Sequence, residues 1–228
     1  EENILLLGEK HVEVVKALAH AAIAKKDVDR ALSLVGAARA RQENEGDLEL
    51  LFLKAEALAL KGQVPQAMTD LKAVLEKDKA SAKAMHALGV LHLKQKEVDL
   101  AAGRFGEALA ASPQHASSAV ELAAIEVLER KNAAKGMELV EQALADESKV
   151  NLAPAELGRA LALKARVAAE RHELELAVET FEAALKADPK NVFAKGTYGA
   201  LLVERHDYAK ANPMLKDAVA AEPTNLAY

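Results

Sequence analysis

Histidines are the residues of this chain best suited to chemistry near neutral pH, as metal ligands or proton carriers, and there are seven of them. His86 and His92 stand six apart in one apolar-periodic segment. On a helix that spacing sends them to different faces, whereas shared coordination needs a spacing of three or four. His11, His20 and His115 have no carboxylate or thiol companion at ligand spacing, and His172 and His206 are predicted in exposed turns. No Ser, His and acid set stands together in a way that nominates a nucleophile and its base. Gly103 and Gly106 fall inside a helical pattern, not between a strand and a helix where a phosphate loop needs them. The carboxylates are scattered, mostly as Glu near Lys or Arg, in the manner of solvated helix surfaces. The residues therefore predict no catalytic centre, no metal site and no cofactor.

Composition narrows the function classes further. The 228 residues contain no cysteine and no tryptophan, and aromatics are 3% of the chain. Alanine alone supplies roughly a fifth of it, well above ordinary usage. A core with so few aromatics must be built by close approach of small side chains, which suits helix on helix. Without cysteine there is no disulfide framework, zinc thiolate site or thiol nucleophile. Thirty Lys and Arg against thirty-five Asp and Glu give a net charge of −5, which argues against a nucleic-acid partner. The longest apolar run near the start, Ile4 to Leu7, is too short to enter and span a bilayer. The cytoplasm is the expected compartment, with the periplasm as the alternative. No Met precedes Glu1, so the chain reads as a segment of a longer product.

The positioning elements emerge from an internal period of 34 residues. In the last stretch Gly199, Leu202, Ala211, Leu215, Ala218 and Pro223 stand at fixed offsets. One period earlier Ala165, Ala168, Ala177, Phe181, Ala184 and Pro189 occupy the same places. Gly89, Ala101, Phe105, Ala108 and Pro113 repeat the pattern, as do Ala19, Ala22, Ala31, Val35 and Ala38. Six copies follow, over 12–45, 48–81, 82–115, 117–150, 158–191 and 192–225. Extra residues fall at Gly46-Asp47 and Ala116, and a larger insertion spans 151–157.

Each copy predicts two amphipathic helices joined by a tight turn. Asp27, Glu97, Asn132, Glu173 and Asp207 fall where the second helix opens; Asp and Asn there can cap free amides, while Glu caps less well. The residue before is Gly62 once and Lys26, Lys96, Lys131, His172 or His206 elsewhere. If it closes the first helix in the left-handed conformation, the non-glycine copies bear a local cost. Pro154 suits a first helical turn, so the fifth pair should begin early, near it. Pro213 lies inside a second helix and should bend it without ending it. One pair cannot bury both its faces, so the copies must stack.

The offsets, the 34-residue step and the closing prolines resemble the tetratricopeptide repeat over residues 12–225. The resemblance implies an all-α fold, a right-handed superhelical solenoid of stacked antiparallel helix pairs forming one domain. Lys54 and Lys164 occupy a slot that the family usually fills with an apolar residue, and copy 117–150 departs with Gly136 in an alanine slot. The resemblance also implies where a partner binds, because the second, fifth, ninth and twelfth positions of each copy line a concave face. Carried onto this sequence, the groove takes in Lys16, His20, Phe52, Glu56, Lys83, His86, Val90, Leu93, Glu121, Ile125, Leu128, Arg159 and Arg166. Phe52, Val90, Leu93, Ile125 and Leu128 form an apolar middle with charges around it, a pattern suited to a peptide or helix of a partner protein.

Two further expectations concern partners. Family members that hold a chaperone tail by its terminal carboxylate use a Lys and Asn set; here Lys16 is followed by His20, and the next copy offers Leu53 in place of Asn, so the clamp is incomplete. The alternative to groove binding is self-assembly, end to end, within a larger complex; high Ala, Leu and Arg usage without cysteine resembles bacterial scaffold repeats. The end surface would be Leu215, Ala218, Val219 and Leu226, because an uncapped last pair leaves its stacking face in water.

Overall fold

The computed structural model describes residues 11–146, 150 and 152–223. Among these there are twelve α-helices and no strand, arranged as six consecutive antiparallel pairs. The chain divides into two compact units, Glu1–Ala111 and Ser112–Tyr228. The first contains α1 (Val12–Ala24), α2 (Val28–Arg39), α3 (Leu48–Leu60), α4 (Val64–Lys77), α5 (Ala82–Lys94) and α6 (Val98–Ala111). The second contains α7 (Ala116–Ala124, prolonged by a π turn over Ile125–Glu129), α8 (Ala133–Leu144), α9 (Pro154–Glu170), α10 (Leu174–Ala187), α11 (Val192–Glu204) and α12 (Tyr208–Ala221).

Small residues sit at the helix contacts, as the period requires. Ala19, Ala31, Ala55, Ala67 and Ala101 are fully buried in the first unit, and Ala165, Ala177, Ala184 and Ala211 are at most 1% exposed in the second. Phe105 and Phe181 fill the space that these alanines leave, both with no exposed surface. Phe181 stacks on Tyr198 across α10 and α11 at 5.3 Å between ring centres. The Tyr198 hydroxyl reaches Glu182 at 3.1 Å, and burial together with that carboxylate pushes its pKa up to about 12.

The turns within pairs share one geometry. The residue closing the first helix has positive φ in every pair: Lys26 58°, Gly62 83°, Lys96 62°, Lys131 55°, His172 61° and His206 61°. In five pairs the amide that follows donates back across the turn to the carbonyl five residues earlier, as from Asp27 to Ala22 and from Asp207 to Leu202. These are left-handed helix closures, adopted by lysine and histidine at a cost that glycine avoids. The caps follow side-chain chemistry. Asp27, Asn132 and Asp207 accept from the amides of Arg30, Lys135 and Lys210, whereas Glu173 makes no such bond.

The fourth pair differs. There Asn132 donates six residues back, to Glu126, because Ile125–Glu129 is wound as a π turn. Val127 is driven onto α8, and a Cβ at Gly136 would collide with its Cγ2. Glycine in this alanine slot is thus the residue that admits Val127. Lys54, in a normally apolar slot, is accommodated by an ion pair with Asp70 of α4 at 2.9 Å. The fifth pair begins at Pro154, and Glu156 accepts from the Ala153 amide at 2.8 Å. α12 runs on through Pro213. No helix among the described residues is long and apolar enough to cross a membrane.

Candidate functional site

In the first unit the groove positions lie on α1, α3 and α5. Lys16 is the residue whose environment departs most from the sequence-based expectation. It is 9% exposed, and its ammonium group contacts Glu13 at 2.9 Å, Asp47 at 2.9 Å and Glu49 at 3.1 Å. Burial alone would lower the Lys16 pKa; hydrogen bonds to the three carboxylates outweigh it and hold the pKa above the ordinary lysine value. The same ammonium lowers the Glu49 pKa. At Asp47 desolvation pulls the pKa upward, and the hydrogen bond from Lys16 with those from two backbone amides carries it below the usual carboxylate value. Those amides belong to Glu49 and Leu50, both at 3.0 Å, so Asp47 also caps α3. Lys16 is therefore a bridge from α1 to α3. It is not a free cation waiting for a partner.

Further along α3, Phe52 is half-buried against the Leu58–Leu71–Leu88 core. Glu56 follows at i+4 and so shares its helix face. Glu56 is half-buried, with neither a hydrogen bond nor an ion pair among the described residues. Desolvation raises its pKa despite the opposing charges of His20 and Lys83. His20 is largely exposed and lies 3.6 Å from Glu49. Lys83 is exposed, and Val90 and Leu93 are half-buried on α5. His86 is half-buried too, its ring 5.4 Å from that of Phe105.

In the second unit the positions lie on α7, its π turn and α9. Arg159 contacts Glu121 at 2.6 Å, and Arg166 contacts Glu170 at 3.0 Å. Desolvation raises the Glu121 pKa, partly offset by Arg159. Leu128 is half-buried, but Ile125 is 3% exposed. Ile125 is thus a core residue of the widened π turn, and the apolar strip expected from the sequence loses it as an accessible member. At the far end, Leu215 is half-buried and Val219 is 44% exposed, while Ala218 has no exposed surface. Ala218 is fully buried, so it cannot belong to an exposed end surface. Leu226 lies outside the described residues.

Charge periodicity could have disclosed the bridges. Lys16 and Glu49 hold the fifth position of one copy and the second of the next, and Glu121 and Arg159 stand in the same relation. Asp47 gave no such signal, because it sits in the extra residues between copies. Among the described residues no three His, Asp or Glu side chains gather as a metal site.

A family model described as tetratricopeptide repeat matches residues 16–84 and 61–116. No curated protein matches the chain significantly. Among solved structures, YrrB, described as a TPR protein with an unusual peptide-binding site, is 20% identical with a TM-score of 0.57. The match covers 83% of this chain and 93% of that one. PilF of Pseudomonas aeruginosa is 20% identical with a TM-score of 0.65, covering 81% and 80%. The APC/C hetero-tetramer Cut9–Hcn1 is 13% identical with a TM-score of 0.79, covering 99% of this chain and 44% of that one. These likenesses establish the fold, and the family match identifies tetratricopeptide repeats over residues 16–116.

Proposed function

We propose that the chain is a protein-interaction scaffold that takes a peptide or helix of a partner protein on the groove face formed, within a unit, by the first helices of its pairs. The observation that carries this reading is on α3 and α5: Phe52, Val90 and Leu93 are only partly buried at the expected groove positions, and Phe52 packs against the core of the first unit. An aromatic side chain that a partner buries can act as a binding anchor, and loss of such an anchor costs about 2 kcal/mol or more in binding. The peptide-binding site ascribed to YrrB is consistent with this use of the fold. Phe52→Ala should weaken partner capture by over about tenfold while leaving the helical circular dichroism nearly intact. Undiminished capture combined with a loss of stability alone would make Phe52 a core residue and end the reading.

A second reading, end-to-end self-assembly, is favoured by Tyr208 and Val219, which are 58% and 44% exposed on α12. Sedimentation at rising concentration separates the two. A Val219→Lys variant that abolishes self-association would support assembly, and a strictly monomeric chain would contradict it.

A further inference from the structure

The chemistry of the partner can be read from the charges of the first unit. This inference rests on the groove-face reading above. The face joins four carboxylates, Glu13, Asp47, Glu49 and Glu56, to two ammonium groups, Lys16 and Lys83. Lys16 is buried and saturated by three of those carboxylates, so it cannot also receive an acidic ligand. Glu56 is the opposite case. Its carboxylate is half-buried and has no hydrogen bond or ion pair among the described residues. It also lies one helical turn from Phe52, on the same face of α3. A half-buried carboxylate without a partner is costly, and a cation brought to it by a ligand recovers part of what desolvation removed.

We propose that the groove face of the first unit selects a basic peptide, one that places an Arg or Lys side chain on Glu56 and a neighbouring apolar side chain on Phe52. Arginine suits the site especially, because its planar guanidinium can pair with the carboxylate and lie against the ring together. The excess of negative charge around Lys16 adds a salt-dependent attraction for the rest of such a segment. An acidic segment meets the reverse: repulsion from the same carboxylates, offset among the described groove residues of this unit by Lys83 and, when protonated, His20.

A displayed library of short random peptides, selected on the immobilised full chain at low salt, tests this. Enriched peptides should carry Arg or Lys within one helical turn of Leu, Ile, Phe or Met. Their affinity should fall about tenfold on Glu56→Gln and vanish on Glu56→Lys, with Glu76→Gln on the exposed face of α4 as the unaffected control. Thermal unfolding of each variant confirms that it is folded. Enriched peptides that lose affinity on Phe52→Ala but are acidic or uncharged, and indifferent to Glu56→Gln, overturn the basic-peptide proposal and leave the groove standing. Peptides indifferent to both substitutions, or no enrichment at all, overturn the proposal and the groove together.

Discussion

Arg159 Nη1 lies 2.6 Å from Glu121 Oε1, joining the second position of one repeat to the fifth position of the repeat before it. Lys16 and Glu49 make the same connection with the charges exchanged. Both pairs occupy positions where the family pattern leads one to expect a groove, and their charges are spent between neighbouring first helices. The proposed preference of the first unit for a basic peptide rests on the contrast between these occupied groups and Glu56, which makes no hydrogen bond or ion pair among the described residues.

The Lys16 bridge sets the first prediction. Lys16→Met removes the buried cation among Glu13, Asp47 and Glu49 and leaves like charges together at the N-terminus of α3. The expected loss is about 1–2 kcal/mol, since of the three carboxylates left behind only Asp47 is mostly buried while Glu13 and Glu49 stay in water. Urea denaturation measures the total, and hydrogen exchange should locate the loss in α1, α2 and the start of α3. A change below about 0.5 kcal/mol would make the bridge a surface ion pair of no consequence.

Glu56 and the Lys16 carboxylates titrate with opposite effects on stability. The folded pKa of Glu56 is raised, so its favourable contribution is complete below the unfolded value and is lost as pH rises through the folded one. Those of Asp47 and Glu49 are lowered, so their contribution is present above the unfolded value and is lost as pH falls through the folded one. Glu56→Gln should therefore stabilise the chain at about pH 7, with a gain that shrinks toward about pH 4. Equal unfolding midpoints for variant and parent at both pH values would contradict the desolvation of Glu56.

Left-handed closures give a paired test. Gly62 has φ of 83°, so Gly62→Ala should cost about 1 kcal/mol. His172 holds a similar conformation at 61°, so His172→Gly should gain roughly 0.5 kcal/mol once the greater chain entropy of glycine is deducted. Thermal melts that moved both variants in one direction would show that the turn is not governed by φ.

Gly136→Ala tests the irregular fourth pair. The added methyl would meet Val127, and the expected cost is about 1–3 kcal/mol, reduced by alanine's better helix propensity. Val127→Ala should relieve it in the double variant. Additive losses would show that the two residues do not compete for the same space.

The fold was legible because the period fixes which residues repeat: alanines at contacts, prolines after second helices, and a turn residue forced to positive φ. Pro154 announced the early start of α9 through its own fixed geometry. The accessible surface was less legible. Ile125 stands at a groove position by register, yet the π turn of Ile125–Glu129 buries it, and nothing in the residue types of that segment marks the extra hydrogen-bond step. Ala218 satisfies two patterns at once, pair contact and end face, and only packing decides between them. Lys16 looks like a free groove lysine until Asp47, from outside the repeat register, closes on it.

Hydrogen exchange of the full chain, with and without a selected peptide, tests the groove-face account most directly. Binding should slow exchange in the first helices of the first unit, above all α3 around Phe52 and Glu56 and α5 around Val90 and Leu93. The second helices α4 and α6 should remain unchanged. Slowing confined to α4 and α6, or to α12 at the end of the second unit, would place the binding surface elsewhere and contradict the account.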